Sequence, residues 1–486
     1  MLPLLFTGCA MMQIEEFECC APIKGTPETW TSRGNHRIKD TSVVGWVHDF
    51  NEPLLVKLAN EAVCGNFTIA SALQRVFQAE ERARISRAAL FPQIESGLDS
   101  TRRQNPSAPP REGFDRSTSH SFSLDSSWEV DLWGRLRDLK KSEVATMDAQ
   151  FHAYQSARLS LVASVVKAAF ELIESEEQIK TLLKNLKSLQ TNLDILDAKL
   201  EAGDGDDRTA LEIALSRADI ARSRAALAAE KRDRDGAKRA LEALLGRYPS
   251  GIISGLRTLP DPKRSIPVGL PSDLLIRRPD ILQAEMNINS ALYDVSAAEK
   301  QLLPSFRLTS GIGTTTSDVF KDLFNLNNLM WNVGQNLTQP VFQAGRIRSE
   351  IKLSEYLRDQ LIADYSNTVL TAFQEIEIAL AAEKFFNEQV AALEDNVREA
   401  RLAEELSLAD YEKGIIDIIT LLQSQRNLLD AESSLLSTRL LRLFNRVDLY
   451  LALGGDFDTK PVPVSCPVDE EKGNFLQRYK AEKRPD

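Results

Sequence analysis

Residues 121–132 alternate with a period of two. Phe122, Leu124, Trp128, Val130 and Leu132 fall on one face, and Ser121, Ser123, Asp125, Ser127, Glu129 and Asp131 on the other. One apolar and one polar face over about ten residues predict a strand that crosses a bilayer as part of a barrel. Residues 93–101 repeat the pattern more weakly, with Ile94 and Leu98 against Glu95, Gly97 and Asp99. It returns in the second half of the chain. There Phe306, Leu308 and Ile312 oppose Arg307, Thr309 and Gly311, while Trp331, Val333, Leu337 and Val341 oppose Asn332, Gly334, Asn336 and Thr338. Strands are therefore expected at about 93–102, 119–132, 305–313 and 331–342. The Pro/Ser-rich 103–118 and the Asn/Asp-rich 315–329 have loop compositions. Trp128 and Trp133 suit an interfacial girdle. Taken alone, each strand fits an ordinary antiparallel sheet with one wet face better.

Elsewhere the period is helical. Leu136 to Leu200 contains neither proline nor glycine, enough for a rod of about 100 Å at 1.5 Å per residue. Ile179, Leu182, Leu186, Leu189, Leu193, Leu196 and Leu200 follow the 3, 4 spacing of a coiled-coil seam. A second unbroken stretch runs from Gly345 to Gly414, and Leu422, Leu429, Leu436, Leu443 and Tyr450 return at every seventh position. Pro53–Leu90 and Thr209–Gly246 predict single helices of half that length. A helix far longer than a bilayer is thick, continuing from a lipid-facing strand, suits the wall of a tube.

The two halves are copies. Gly134-Arg135 returns as Gly345-Arg346 and the reversal at Gly203 as Gly414, both 211 residues on, and Leu245-Gly246 returns as Leu453-Gly454. Ala169-Phe170 aligns with Ala372-Phe373 at a shift of only 203, which predicts about one extra heptad of helix in the first copy. The chain divides into a leader at 1–9, an N-terminal segment at 10–52, a first repeat at 53–246 with its tip near 203, and a linker at 247–271. A second repeat at 272–455, with its tip near 414, and a tail at 456–486 follow. The fold class is mainly α with a small β part. Each copy supplies two strands, and four strands cannot close in lipid, where open edges are not tolerated. Two chains give eight strands and a barrel filled by side chains; three give twelve and leave a bore. A conduit favours the trimer.

Composition narrows the alternatives. The chain has 486 residues, 43% hydrophobic and 27% charged, with a net charge of −11, which argues against nucleic acid as a partner. No apolar run approaches 18 residues, so any crossing is by strands. The five cysteines and four histidines show no zinc, redox or H-E-x-x-H spacing. No phosphate loop or nucleophile elbow occurs either, so no enzyme, metal or cofactor is expected. Thr7-Gly8-Cys9 ends a short apolar run, a lipobox-like pattern that predicts lipidation of Cys9.

Several segments together resemble the TolC-like outer-membrane factors, in particular the NodT-type lipoproteins of RND efflux systems. They are Pro267-Val-Gly-Leu-Pro-Ser-Asp-Leu-Leu-Ile-Arg-Arg-Pro-Asp-Ile281, Leu303-Pro304-Ser305-Phe306, Trp128-Glu-Val-Asp-Leu-Trp-Gly-Arg135, Pro340-Val-Phe-Gln-Ala-Gly-Arg346 and Trp46-Val-His-Asp-Phe50. The resemblance spans about 43–455. It implies a long coiled-coil α-barrel plus a 12-stranded β-barrel, formed by a homotrimer in the outer membrane, lipid-anchored and reaching into the periplasm. It implies passive export of drugs, metals or similar small molecules, with a periplasmic adaptor and an inner-membrane RND-type pump as partners. A duct for type I protein secretion, or a structural periplasmic coiled-coil protein, are the other readings.

By the same resemblance the turns at Gly203 and Gly414 are the tips that meet the adaptor. Gly414-Ile415-Ile416 keeps the aliphatic character of the family. Gly203 is followed instead by Asp204, Asp206 and Asp207, suited to a basic adaptor end or a cation, or simply to solvent. The family narrows its tube just past the second tip with an aliphatic and then an acidic ring. Ile419 stands at the first position and Gln423 at the second. Tyr411, preceded by Asp410 where the family has arginine, completes the expected constriction.

Overall fold

The computed structural model describes residues 46–106, 114–201, 207–254, 258–261, 277–317, 320, 323 and 325–455. The elements are α1 (Pro53–Gly65), α2 (Phe67–Ala88), β1 (Gln93–Pro106), β2 (Phe114–Val130), α3 (Arg135–Glu201), α4 (Asp207–Leu244), α5 (Pro279–Lys300), β3 (Ser305–Thr316), β4 (Leu329–Thr338), α6 (Arg346–Glu412) and α7 (Ile418–Ala452). A 3-10 turn at Trp46–Phe50 precedes α1. No described helix is long and apolar enough to cross a membrane. The elements fall into two compact units.

One unit contains the sheet with the adjoining ends of α2, α3, α5 and α6, within residues 73–153 and 280–368. All four strands are antiparallel in the order β1-β2-β3-β4, so β1 and β4 each keep one unpaired edge. β1 and β2 run on through Pro106 and from Phe114, well into the segment whose composition predicts loop at 103–118. β3 also extends to Thr316, whereas β2 and β4 stop at Val130 and Thr338, short of the expected 132 and 342. The turn from β2 into α3 is built by polar side chains. Asp131 accepts from the first amides of α3, Leu136 N at 3.1 Å and Arg137 N at 3.0 Å, as an N-terminal cap should. Gly134 takes φ +80°, a conformation cheap only for glycine. Trp133 Nε1 donates to Pro304 O at 2.7 Å, and Trp128 Nε1 to Leu90 O at 3.0 Å. Below the sheet, buried Asp138 on α3 accepts from Ser296 Oγ at 2.7 Å and pairs with Lys300, both on α5.

The other unit, within residues 46–72, 154–279 and 369–455, holds the main hydrophobic core. Trp46 stacks on Tyr450 at 5.4 Å and Phe50 meets Phe170 edge-on at 5.1 Å. Tyr450 OH donates to Asp49, which fastens the N-terminal turn to the end of α7. The stretch expected as one helix over 53–90 is broken at Gly65-Asn66. A Cβ at Gly65 would lie 2.8 Å from Leu245 O. Asn66 restarts the chain by accepting from Thr68 N at 2.8 Å while its amide donates to Leu244 O at 2.9 Å. The extra heptad expected in the first copy is not there: α3 and α6 have 67 residues each. Ala169-Phe170 and Ala372-Phe373 are thus a chance likeness within equal helices.

Candidate pore wall and helical tips

Register carries the alternation of the sequence across the whole sheet. The rows Ile94–Ser126–Ser310–Val333, Ser96–Leu124–Ile312–Trp331 and Val130–Phe306–Leu337 share one face. Glu95–Asp125–Gly311–Asn332 and Glu129–Arg307–Asn336 share the other. The apolar side chains have no cover: Val333 is 75% exposed and Trp331 74%. On the polar face two carboxylates, Glu95 and Asp125, stand directly opposite each other. Such a pair repels, so that face needs water. Gly311 lets the neighbours cross over it, since a Cβ there would sit 2.5 Å from Asn332 Oδ1 and 2.7 Å from Asp125 Oδ1. Glu129 bonds Arg135 at 2.7 Å and lies 3.9 Å from Arg307.

The reversal between α6 and α7 follows from its sequence. Gly414 has φ +75°; Ile415 N donates to Asp410 O and Gly414 N to Tyr411 O, each at 2.9 Å, the double bond that ends a helix on glycine. Asp417 then caps α7 through Thr420 N at 2.9 Å. Ile415 is 66% exposed at the turn, and Ile416 packs partly against the core below it. Ile419 is 53% exposed. Gln423, one turn on, is exposed too and donates to Asn427 Oδ1 at 2.8 Å.

Tyr411 does not join them. It is only 4% exposed, packed with Leu189, Leu196, Ile213, Ile220, Ile418, Leu421 and Leu422. Lys199 Nζ lies 4.9 Å over its ring. Burial pushes its phenol pKa up, with Glu212 adding to the effect. The ring thus lies in a seam between helices, apart from the exposed Ile419 and Gln423. Cys9, Gly203, Asp204 and Asp206 lie outside the described residues, and Asp207 is described only as the first residue of α4.

Two polar features of this bundle escaped the sequence reading. Asn192 Nδ2 on α3 donates to Gln425 Oε1 on α7 at 3.0 Å, and Gln425 Nε2 to Ser188 Oγ at 2.9 Å. Asn192 and Gln425 are both buried. Asp219 on α4, also buried, pairs with Arg426 on α7 at 2.6 Å. The only signal available was a polar Asn192 one residue before Leu193 of the unbroken α3 seam. Higher on the same helices, burial together with Glu230, Glu177 and Glu171 raises the Glu174 pKa to about 7.

The sequence profile described as outer membrane efflux protein matches twice, over residues 58–247 and 270–455, once per repeat. The "Probable efflux pump outer membrane protein TtgC" of Pseudomonas putida is 31% identical over 434 residues, 88% of this chain and 89% of that protein. The "Cation efflux system protein CusC" of Escherichia coli is 28% identical over 93% of this chain and 96% of its own length. Among solved structures, the open state of the MtrE outer membrane channel of Neisseria gonorrhoeae superposes with a TM-score of 0.79. It is 27% identical and covers 92% of this chain and 100% of its own. The fold is therefore mainly α, a long coiled-coil barrel part with four transmembrane strands per chain that close as a twelve-stranded β-barrel in a trimer. The chain belongs to the outer membrane efflux protein family, and it is the outer-membrane duct of an efflux system.

Proposed function

We propose that three copies of the chain form a passive duct through which small molecules leave the periplasm, with energy supplied elsewhere. The two-faced sheet with its two unpaired edges is the observation that carries this reading. Backbone groups on an open edge cost several kcal/mol each in hydrocarbon, and joining β4 of one copy to β1 of the next removes both edges. The wet row of Glu95, Asp125 and Asn332 then lines a bore, and the row of Ile94 and Val333 faces lipid. The role of such a bore is conduction.

The Gly414 turn, with Ile415 exposed at its apex, is suited to an apolar seat on a periplasmic adaptor. Through it the duct meets an inner-membrane RND-type pump. Ile419 and Gln423, exposed on successive turns of α7, are suited to rings around the axis, the first a hydrophobic constriction that holds the resting channel narrow. The relatives' names differ in cargo, a cation for CusC and unspecified efflux for TtgC, so selection among substrates rests with the pump. The test is leak of a small hydrophilic antibiotic into cells that carry the channel without its pump. Ile419→Ser is expected to raise entry several-fold, and entry equal to that of the unaltered channel removes the constriction.

A further inference from the structure

The β1–β2 hairpin projects beyond the rest of the sheet. The last pair joining β2 to β3 is His120–Thr316, so residues 101–106 and 114–119 pair only with each other. The helices that adjoin the strands, α2, α3, α5 and α6, all meet the sheet at its opposite end, next to Gln93, Val130, Ser305 and Thr338. The hairpin is thus the end that leaves the outer membrane on the external side.

Along this hairpin the outward face changes character by rows. Leu98–Phe122 closes the continuous apolar band; Ser100–His120, Arg102–Thr118 and Gln104–Arg116 follow on the same face, ahead of the Pro106–Phe114 row that ends the ladder. Arg102 and Arg116 are both exposed and are diagonal neighbours, about 7–8 Å apart at their backbones. Arg116 Nε donates to Gln104 Oε1 at 2.9 Å, which engages one of the five donors of its guanidinium. No carboxylate stands on this face beyond Leu98 among the described residues. Arg102 lies four residues past Leu98, about 13 Å along the strand and about 10 Å above the apolar band once the strand tilt is allowed for. Headgroup phosphates begin within about 5–8 Å of the hydrocarbon edge, and an arginine side chain bends back by that much. Guanidinium forks match phosphate oxygens two at a time.

We infer that Arg102 and Arg116 bind the phosphate of a phosphorylated outer-leaflet glycolipid, which anchors the external rim of each subunit. The site is continuous with the lipid-facing surface. The inference rests on the reading of the apolar face as the lipid face.

The test uses the full-length trimer in neutral detergent and two probes, bisphosphorylated lipid A and the same lipid with its phosphates removed. Retention is read by native mass spectrometry. The trimer is expected to prefer the phosphorylated lipid at least tenfold, since each basic residue near an anionic headgroup is worth about five-fold. R102Q/R116Q loses that preference, R102K/R116K keeps most of it, and R103Q, on the bore face one residue away, keeps all of it. A preference that survives R102Q/R116Q, is equally lost in R103Q, or is absent from the unaltered trimer overturns the site alone. If neither lipid binds and the protein also fails to enter phospholipid vesicles, the lipid-face reading falls with it.

Discussion

Arginine substituted at two adjacent positions of β4 separates the two faces of the sheet. Val333 lies in the row Ile94–Ser126–Ser310–Val333, midway between the rows of Leu337 and Leu329 that end β4. If that face meets lipid, Val333→Arg places a charge near the bilayer midplane, at a cost of about 2–4 kcal/mol per strand. The lesion occurs once per subunit, so a trimer bears about 6–12 kcal/mol. Asn332→Arg puts the same charge one residue away on the opposite face, beside Gly311 and Asp125. There it meets water and a carboxylate, and such a wet-face change stays within about 0.5 kcal/mol. The assay is refolding into phospholipid vesicles over a urea series, scored as SDS-resistant trimer. Val333→Arg shifts the midpoint sharply or abolishes the trimer, and Asn332→Arg leaves it near that of the unaltered protein. Equal damage from both, or greater damage from Asn332→Arg, refutes the assignment of the faces.

Titration offers a second check. Glu174, with its pKa raised to about 7, holds a proton in the folded state that an unfolded chain gives up near 4.5. Because the folded pKa is the higher, this contribution is present in full below the unfolded value and is lost as pH rises through 7. Because Glu174 is only partly buried, the ionisation cost is discounted to about 1 kcal/mol. Glu174→Gln is therefore expected to raise the thermal midpoint at pH 8 and leave it nearly unchanged at pH 5; an equal shift at both values contradicts the cause given. Asn192→Leu leaves Gln425 Oε1 without its donor and is expected to cost about 1–3 kcal/mol. In Asn192→Leu/Gln425→Leu much of that is regained, as chemical denaturation of the two variants would show, whereas additive losses would mean the pair is not coupled.

The features legible in the sequence were those set by near neighbours along the chain. Phe122, Leu124 and Trp128 report a face because the strand period is two. Leu182, Leu189 and Leu196 report a seam because the helix returns every seven residues, and Gly414 reports a reversal because φ +75° suits little else. What stayed hidden depends on distant partners or on water. The break after Gly65 is imposed by Leu245 O, 180 residues on. Strand beyond Thr101 and before Ser119 lies past the apolar band, so its alternation vanishes and Ser, Thr and Arg read as loop, although the ladder from Arg102–Thr118 to Pro106–Phe114 holds it. Tyr411 lies only three residues before Gly414, yet it points into a seam made by α3, α4 and α7 that spacing alone does not reveal. The Asn192–Gln425 bond joins residues 233 apart.

Electron cryomicroscopy of the protein in a lipid nanodisc tests the central claim most directly, by counting strands and copies in one closed ring. The account predicts three copies and twelve strands, with Val333 and Trp331 toward lipid and Asp125 and Glu129 toward the bore. A sheet that stays open, a ring closed by another number of copies, or the reverse orientation of those four side chains contradicts it.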